Sequence, residues 1–387
     1  VLDANLALGT DVATLFGEPD CVFELKITPN RPELLSVLGI ARELSVMLDK
    51  PLKKPLAKEI EGTFPSITVR LEDAEACPRY TARVIKNLEN RPSPEWMQKR
   101  LKALNTNPKN ALVDITNYVL YETGHPLHAF DMDKLAGGEI VVRRAKAGEK
   151  LNTLDGQTIT LDTACLVIAD AEKPSALAGI MGGTETAVTD ASRNIVLEAA
   201  YFNPPAIHMT ARKYGFRSES SYRFERSTDI ENAVYASNRA AELILASCST
   251  PETEVSELGD SYPAPYVPVE VEITPQVIND ILGTKIEDAE ILRILKALSP
   301  DMDTSSAPWI FRAPSHRRDI HLPCDLAEEV AMYAGYDRIP VTPRPATLTV
   351  TEIPAEQRLA SKYKDKLANL GFFEMYSYDF LLGAELS

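Results

Sequence analysis

The order of apolar and polar positions divides the chain into short strand-like and helix-like pieces. "VFELKITPNRP" (22–32) alternates apolar residues up to a Pro-Asn-Arg-Pro turn, which predicts a strand running into a helix. The helix is expected to start at Pro32, with Glu33 favouring its first turn. Leu34, Leu38, Ala41, Leu44 and Leu48 then recur at three- and four-residue steps and predict a core stripe. The prolines and lysines of "KPLKKPLAK" break this pattern and mark a linker that ends a first module at about residue 61.

From 62 to 262, the strand-like runs "SITVRL", "YTARVI", "EIVVRRA" and "CLVIAD" alternate with helix-like stretches at 94–104 and 230–246. Asp155-Gly156, set between "LNTL" and "QTITL", is a strong hairpin signal. Pro263, Pro265 and Pro268 mark a second linker. Beyond it "VEVEIT", an amphipathic "TPQVINDIL" and a helix at 288–298 make a compact unit closing near 341, and a proline-rich strip, "PVTPRPAT", precedes a last helix at 356–370. The pattern is that of a multidomain α+β chain divided at 1–61, 62–262, 266–341 and 342–387. No period of 20–50 residues recurs, which argues against a solenoid or propeller.

With 387 residues, the chain has the length of two to four domains. Its 44% hydrophobic and 25% charged residues are those of a globular protein, and no apolar run approaches the ~20 residues of a membrane span. The net charge of −15 argues against nucleic-acid binding driven by bulk charge, though not against a local basic patch. Cys21, Cys77, Cys165, Cys248 and Cys324 show no CxxC spacing, so reduced thiols in the cytoplasm are expected rather than a zinc ribbon or disulfide framework. Val1 follows no leader-like segment, which suggests a piece of a longer chain.

Four places could carry chemistry. "GHPLHAF" follows the apolar helix "DITNYVLYE", so its turn would present His128 at the mouth of a pocket beside Asn117; the alternative is a structural histidine bonded to backbone. "ALAGIMGG" places Gly179, Gly182 and Gly183 where backbone N–H groups could approach an acyl or phosphate group, or simply turn between buried strands. It matches neither the dinucleotide fingerprint nor a P-loop. In "NIVLEAAYF", strand alternation puts Glu198 on the face of Val196, so a core position for one implies it for the other. A buried carboxylate must accept hydrogen bonds, from a ligand or from the protein itself. Finally, Asp325, Glu328 and Glu329 stand at i, i+3 and i+4 of an expected helix just after Asp319. They could hold a hard cation through oxygen, or cap the helix start.

"DITNYVLYETGHPLHAFD", "AGIMGG", "NIVLEAAYF", "SESSYRFER" and "DLAEEVAMYAGYDRIP", in this order, resemble the beta chains of bacterial phenylalanyl-tRNA synthetases, and "ITPNRPELLSVLGIAREL" is similar to the family's segment before its editing domain. The resemblance covers essentially the whole chain. It implies an editing domain at 62–262, a winged-helix-like module at 266–341, and from 342 the start of a catalytic-like but inactive core. The family's tRNA-binding OB domain, the remaining core and the anticodon-binding domain would be absent. It also implies an alpha chain that charges phenylalanine onto its tRNA with ATP, which this piece would not itself bind. Two alpha and two beta chains would assemble, and the beta chain would hydrolyse mischarged tyrosyl-tRNA with positioned water.

Residue by residue, the resemblance implies an editing pocket of Thr116, Asn117, His128, Gly182, Gly183, Glu198, Ser218 and Ser220, with His128 and Asn117 nearest the chemistry and Glu198 recognising the tyrosine hydroxyl. Gly182 and Gly183 would offer N–H groups to the developing oxyanion. Ser218 and Ser220 stand where the family often has Thr and Ala, and Ser227-Thr228-Asp229-Ile230 replaces Gly-Val-Asp-Pro, a change expected to affect a turn. Asp319, Asp325, Glu328 and Glu329 match acidic positions assigned to magnesium shared with the alpha chain. The competing expectation is a structural, tRNA-docking subunit with an inactive pocket.

Overall fold

The computed structural model describes residues 6–11, 21–341 and 351–376. Contacts divide the chain at residue 340. The first unit is built around two sheets. One has the order β1 (Thr68–Leu71), β4 (Glu139–Arg144), β7 (Leu166–Ala169), β8 (Pro174–Leu177) and β9 (Met181–Gly182), with β1 and β4 parallel and the other pairs antiparallel. The other runs β11 (Glu254–Val255), β2 (Arg79–Lys86), β10 (Ile195–Tyr201), β3 (Leu127–Asp131), with β12 (Gly259–Ser261) also on β2. A separate hairpin joins β5 (Lys150–Asn152) to β6 (Thr158–Thr160) through Gly156 at φ 85°, as the Asp-Gly pair predicts.

Strand β10 explains the layering. Every residue of it is buried, because both faces are covered. Val196 and Ala200 point into a cluster shared with Val142 and Ile168 of the first sheet, while Ile195 and Leu197 meet helices α2 (Glu95–Ala103), α3 (Ala111–Thr123) and α6 (Asn232–Cys248). Sheet, sheet and helices thus form three layers, with Glu198 on the face between the sheets. Helix α3 starts at Asn110, whose side chain accepts the Val113 N–H at 3.1 Å, and stops at Gly124 with φ 77°. Two short helices, α4 (Pro204–Tyr214) and α5 (Glu219–Phe224), follow β10.

A third cluster organises β13 (Glu270–Ile273), α7 (Pro275–Leu282), α8 (Asp288–Leu298), β14 (Trp309–Arg312) and α9 (Pro323–Ala334), in which the paired strands close against three helices. The second unit holds α10 (Ala355–Asn369), whose residues are exposed; much of the expected 342–387 region, including most of the proline-rich strip, lies outside the described residues. No helix among the described residues is long and apolar enough to cross a membrane.

Two expectations near the start fail. Residues 22–29 form no strand, since alternation specifies a strand only where a partner edge supplies hydrogen bonds, and Val22, Phe23 and Leu25 are exposed. Pro32–Leu34 is a single 3₁₀ turn, and the α-helix, α1 (Val37–Met47), begins only after Ser36 caps the Gly39 N–H at 2.9 Å. Its buried side is Leu38, Gly39 and Val46, so the predicted stripe holds at Leu38 and fails at Leu44 and Leu48, which face outward. Gly39 is required there: a Cβ would stand 1.8 Å from the Glu33 carbonyl oxygen.

Candidate active site

A small cavity of about 60 Å³ opens between the two sheets at the β8–β9 end. Its walls include His128, Phe130, Ile168, Gly179, Gly182, Glu198, Ser220 and Phe224. The register of the second sheet brings the polar pair together: Glu198 on β10 lies directly opposite His128 on β3, and opposite the small Ala82 on β2. The turn after α3 is therefore shorter than expected. It ends at Pro126, and His128 is held on a strand rather than on a loop at the mouth.

Glu198 is only 6% exposed. Tyr80 donates its hydroxyl to Glu198 Oε2 at 2.6 Å, and no protein donor among the described residues meets Oε1. Burial raises the Glu198 carboxyl to about pH 7, with the Tyr80 bond pulling the other way. His128 packs edge-on against Phe130 at 4.5 Å, and its Nε2 is buried without a partner. Burial lowers the His128 pKa to about 4, so near neutral pH the ring is an uncharged donor-acceptor and a poor base. Gly182 makes room for it, since a Cβ at Gly182 would fall 2.7 Å from His128 Cε1.

The remaining sequence-predicted residues divide. Ser220 lines the cavity, and Ser218 caps α5 while donating to the Ile180 carbonyl in the wall at 2.8 Å. Gly183 cannot serve as an oxyanion donor, because its N–H is given to the Ser175 carbonyl at 2.9 Å; of the pair, at most Gly182 has that use. Thr116 and Asn117 do not line the cavity. Thr116 bonds back to the Val113 carbonyl at 2.8 Å, and α3 packs with Leu197, on the far face of the sheet from Glu198. Tyr80, which holds Glu198 from behind the wall, and Phe224, which lines the cavity, are the residues that sequence reasoning missed. Nothing local marks them, since Tyr80 reaches Glu198 only through strand pairing and Phe224 reaches the cavity only through the fold-back of α5.

The chain is similar to known proteins along nearly its whole length. Residues 76–249 match the B3/4 domain and residues 271–336 the tRNA synthetase B5 domain. The phenylalanine–tRNA ligase beta subunit of Carboxydothermus hydrogenoformans is 39% identical over 98% of this chain and 48% of its own length. That of Geobacter metallireducens is 42% identical, also over 98% of this chain and 48% of its own length. The chain belongs to the phenylalanine–tRNA ligase beta-subunit family. It spans about half the length of the curated relatives it matches. A solved N-terminal fragment of the phenylalanyl-tRNA synthetase beta subunit from Pyrococcus horikoshii aligns over 80% of this chain and 85% of that one, at 17% identity and a TM-score of 0.42.

In this member of the beta-subunit family the four acidic positions do not converge as a ligand set. Arg317 clamps two of them, donating to Asp319 at 2.9 and 2.8 Å and to Glu329 at 2.8 and 2.6 Å, with Arg31 3.6 Å from Glu329. Asp325 is the reaching-back member of a cap, its Oδ2 accepting the N–H groups of His321 and Leu322 at 2.8 Å. Glu328 is exposed while Glu329 is buried, because adjacent helical residues point about 100° apart. No group of three His, Cys, Asp or Glu among the described residues is placed to hold a metal ion. Magnesium, which wants octahedral oxygen coordination, does not fit this set as the chain alone presents it. Cys77, Cys165, Cys248 and Cys324 carry free thiols.

Proposed function

We propose that the cavity hydrolyses tyrosine wrongly esterified to the phenylalanine tRNA, in a ligase whose alpha chain performs the ATP-dependent charging. The observation that carries this reading is Glu198, a buried carboxylate with one oxygen fixed by Tyr80 and the other unmet, lining a cavity otherwise walled by apolar and neutral groups.

A charging pocket built for an apolar ring rejects an analogue that merely adds a hydroxyl by only ~10²-fold, so a second site that requires the hydroxyl is useful. Tyrosine satisfies Glu198 Oε1, whereas phenylalanine leaves it buried and unpaired, a far larger penalty than the loss of one exposed hydrogen bond. With the phenol fixed, the aminoacyl ester stands toward the cavity opening. Water adds to the carbonyl carbon, the bond to the ribose oxygen breaks, and tyrosine and free tRNA leave. Neutral His128 orients the water or the α-amino group through Nε2, and Gly182 N–H is the chain's candidate donor to the oxyanion.

No step needs a metal ion from this chain. Glu198→Ala in the assembled ligase should abolish the preferential clearance of tyrosyl-tRNA while phenylalanine charging stays near normal. Clearance that survives unchanged would leave the chain as a structural, tRNA-docking subunit.

A further inference from the structure

Resting on the reading of Glu198 as acceptor for a substrate phenol, we propose that Tyr80 is the positioning residue of the site: its hydroxyl holds one oxygen of Glu198 and leaves the other as the single acceptor offered to the ligand. The geometry follows from the β2–β10 register. Ala82 stands directly opposite Glu198, and Tyr80, two residues along β2, shares its face. Because Ala82 is small, the Tyr80 ring reaches diagonally past it to Glu198 Oε2 at 2.6 Å. Tyr80 is fully buried and does not line the cavity, so its hydroxyl has no exchange with solvent or substrate.

The groups facing Glu198 are few. His128 comes from β3, Ser220 from α5, Tyr80 from β2 and Cys77 from the segment preceding β2. None carries a positive charge near neutral pH: His128 is held neutral, and burial together with the nearby carboxylate keeps the Cys77 thiol and the Tyr80 hydroxyl protonated. Among the described residues Tyr80 is thus the only fixed protein donor to the carboxylate. Without it, burial acts unopposed, Glu198 takes up a proton at higher pH, and the cavity presents a neutral acid that can rotate. A neutral, rotating acid discriminates phenol from phenyl less sharply, since leaving it unpaired costs less than leaving an anion unpaired.

The test uses Tyr80→Phe, which keeps the ring and deletes only the hydroxyl, in the full chain. The Glu198 titration is read from the carboxyl band in infrared difference spectra, assigned by its absence in Glu198→Gln, and the affinities for L-tyrosine and L-phenylalanine are measured across pH. Tyr80→Phe should move the Glu198 midpoint upward and reduce the tyrosine-over-phenylalanine preference by about tenfold, the loss of one hydrogen bond to a charged group. In the Glu198→Ala background the same change should alter the preference no further. Replacing tyrosine by 3-fluorotyrosine, a more acidic donor, should move the midpoint the opposite way, and this readout survives even if Tyr80→Phe folds poorly. An unmoved Glu198 midpoint in both replacements overturns the role of Tyr80 alone. A tyrosine preference that persists in Glu198→Ala overturns the reading beneath it.

Discussion

Replacing Glu198 with Gln should make the chain more stable at alkaline pH while damaging its selectivity. The carboxyl ionises near 4.5 in an unfolded chain and at about 7 in the folded one, because the folded state buries it. Between those values the native state binds more protons than the unfolded state, so stability falls as pH rises through the window. At 1.36 kcal/mol per unit, the full displacement from 4.5 to about 7 corresponds to roughly 3 kcal/mol, absent below pH 4.5 and complete above 7. Gln is uncharged throughout and its carbonyl can still accept the Tyr80 hydroxyl.

Urea unfolding of both proteins from pH 5 to 8.5, compared as a difference, cancels every other titrating group. The Gln variant should gain on the native protein steadily up to about pH 7 and then hold its advantage of a few kcal/mol. Stability curves that run parallel across the whole range would show that Glu198 is not desolvated in the folded chain, and the argument that it demands a hydroxyl would go with it.

Two further substitutions probe the frame around the site. Ser227 adopts φ 83°, left-handed backbone that costs a side-chain-bearing residue about 1–2 kcal/mol, and its hydroxyl lies 3.1 Å from that of Tyr201. Both Ser227→Ala and Ser227→Gly lose that contact, but only Gly relieves the strain, so in thermal unfolding the Gly variant should exceed the Ala variant by about 0.5–1 kcal/mol. On α9, Glu329→Ala should cost about 3 kcal/mol or more by leaving the buried Arg317 underpaired, whereas Glu328→Ala at the neighbouring exposed position should stay within about 0.5 kcal/mol. Equal effects of the two in denaturant titration would refute the clamp.

What the chain revealed before folding was largely what depends on short range. Glu198 stood out because a carboxylate in the apolar run "NIVLEAAYF" must be accounted for, and its parity with Val196 put it on the right face. The hairpin at Asp155-Gly156 and the bounds of α8 follow from local turn chemistry and periodicity in the same way. Long-range pairing was illegible. Tyr80 precedes Glu198 by 118 residues and reaches it only through the strand register. At the acidic helix start both a cap and a cation were legible, and of the two the chain's own groups fill the cap, through Asp325, while Arg317 claims Asp319 and Glu329 from outside the helix. Likewise 22–29 has the alternation of a strand but no partner edge among the described residues, and Asn117 was placed at the pocket although α3 turns toward the other face of the sheet.

The central claim is that Glu198 reads a phenol, and a crystal structure of the chain soaked with L-tyrosine addresses it most directly. The account predicts the ring between the sheets, among Phe130, Ile168 and Phe224, with its hydroxyl oxygen within hydrogen-bond distance of Glu198 Oε1 and Tyr80 still on Oε2. Tyrosine bound with its hydroxyl directed away from Glu198, or L-phenylalanine occupying the cavity equally well under the same conditions, would contradict it.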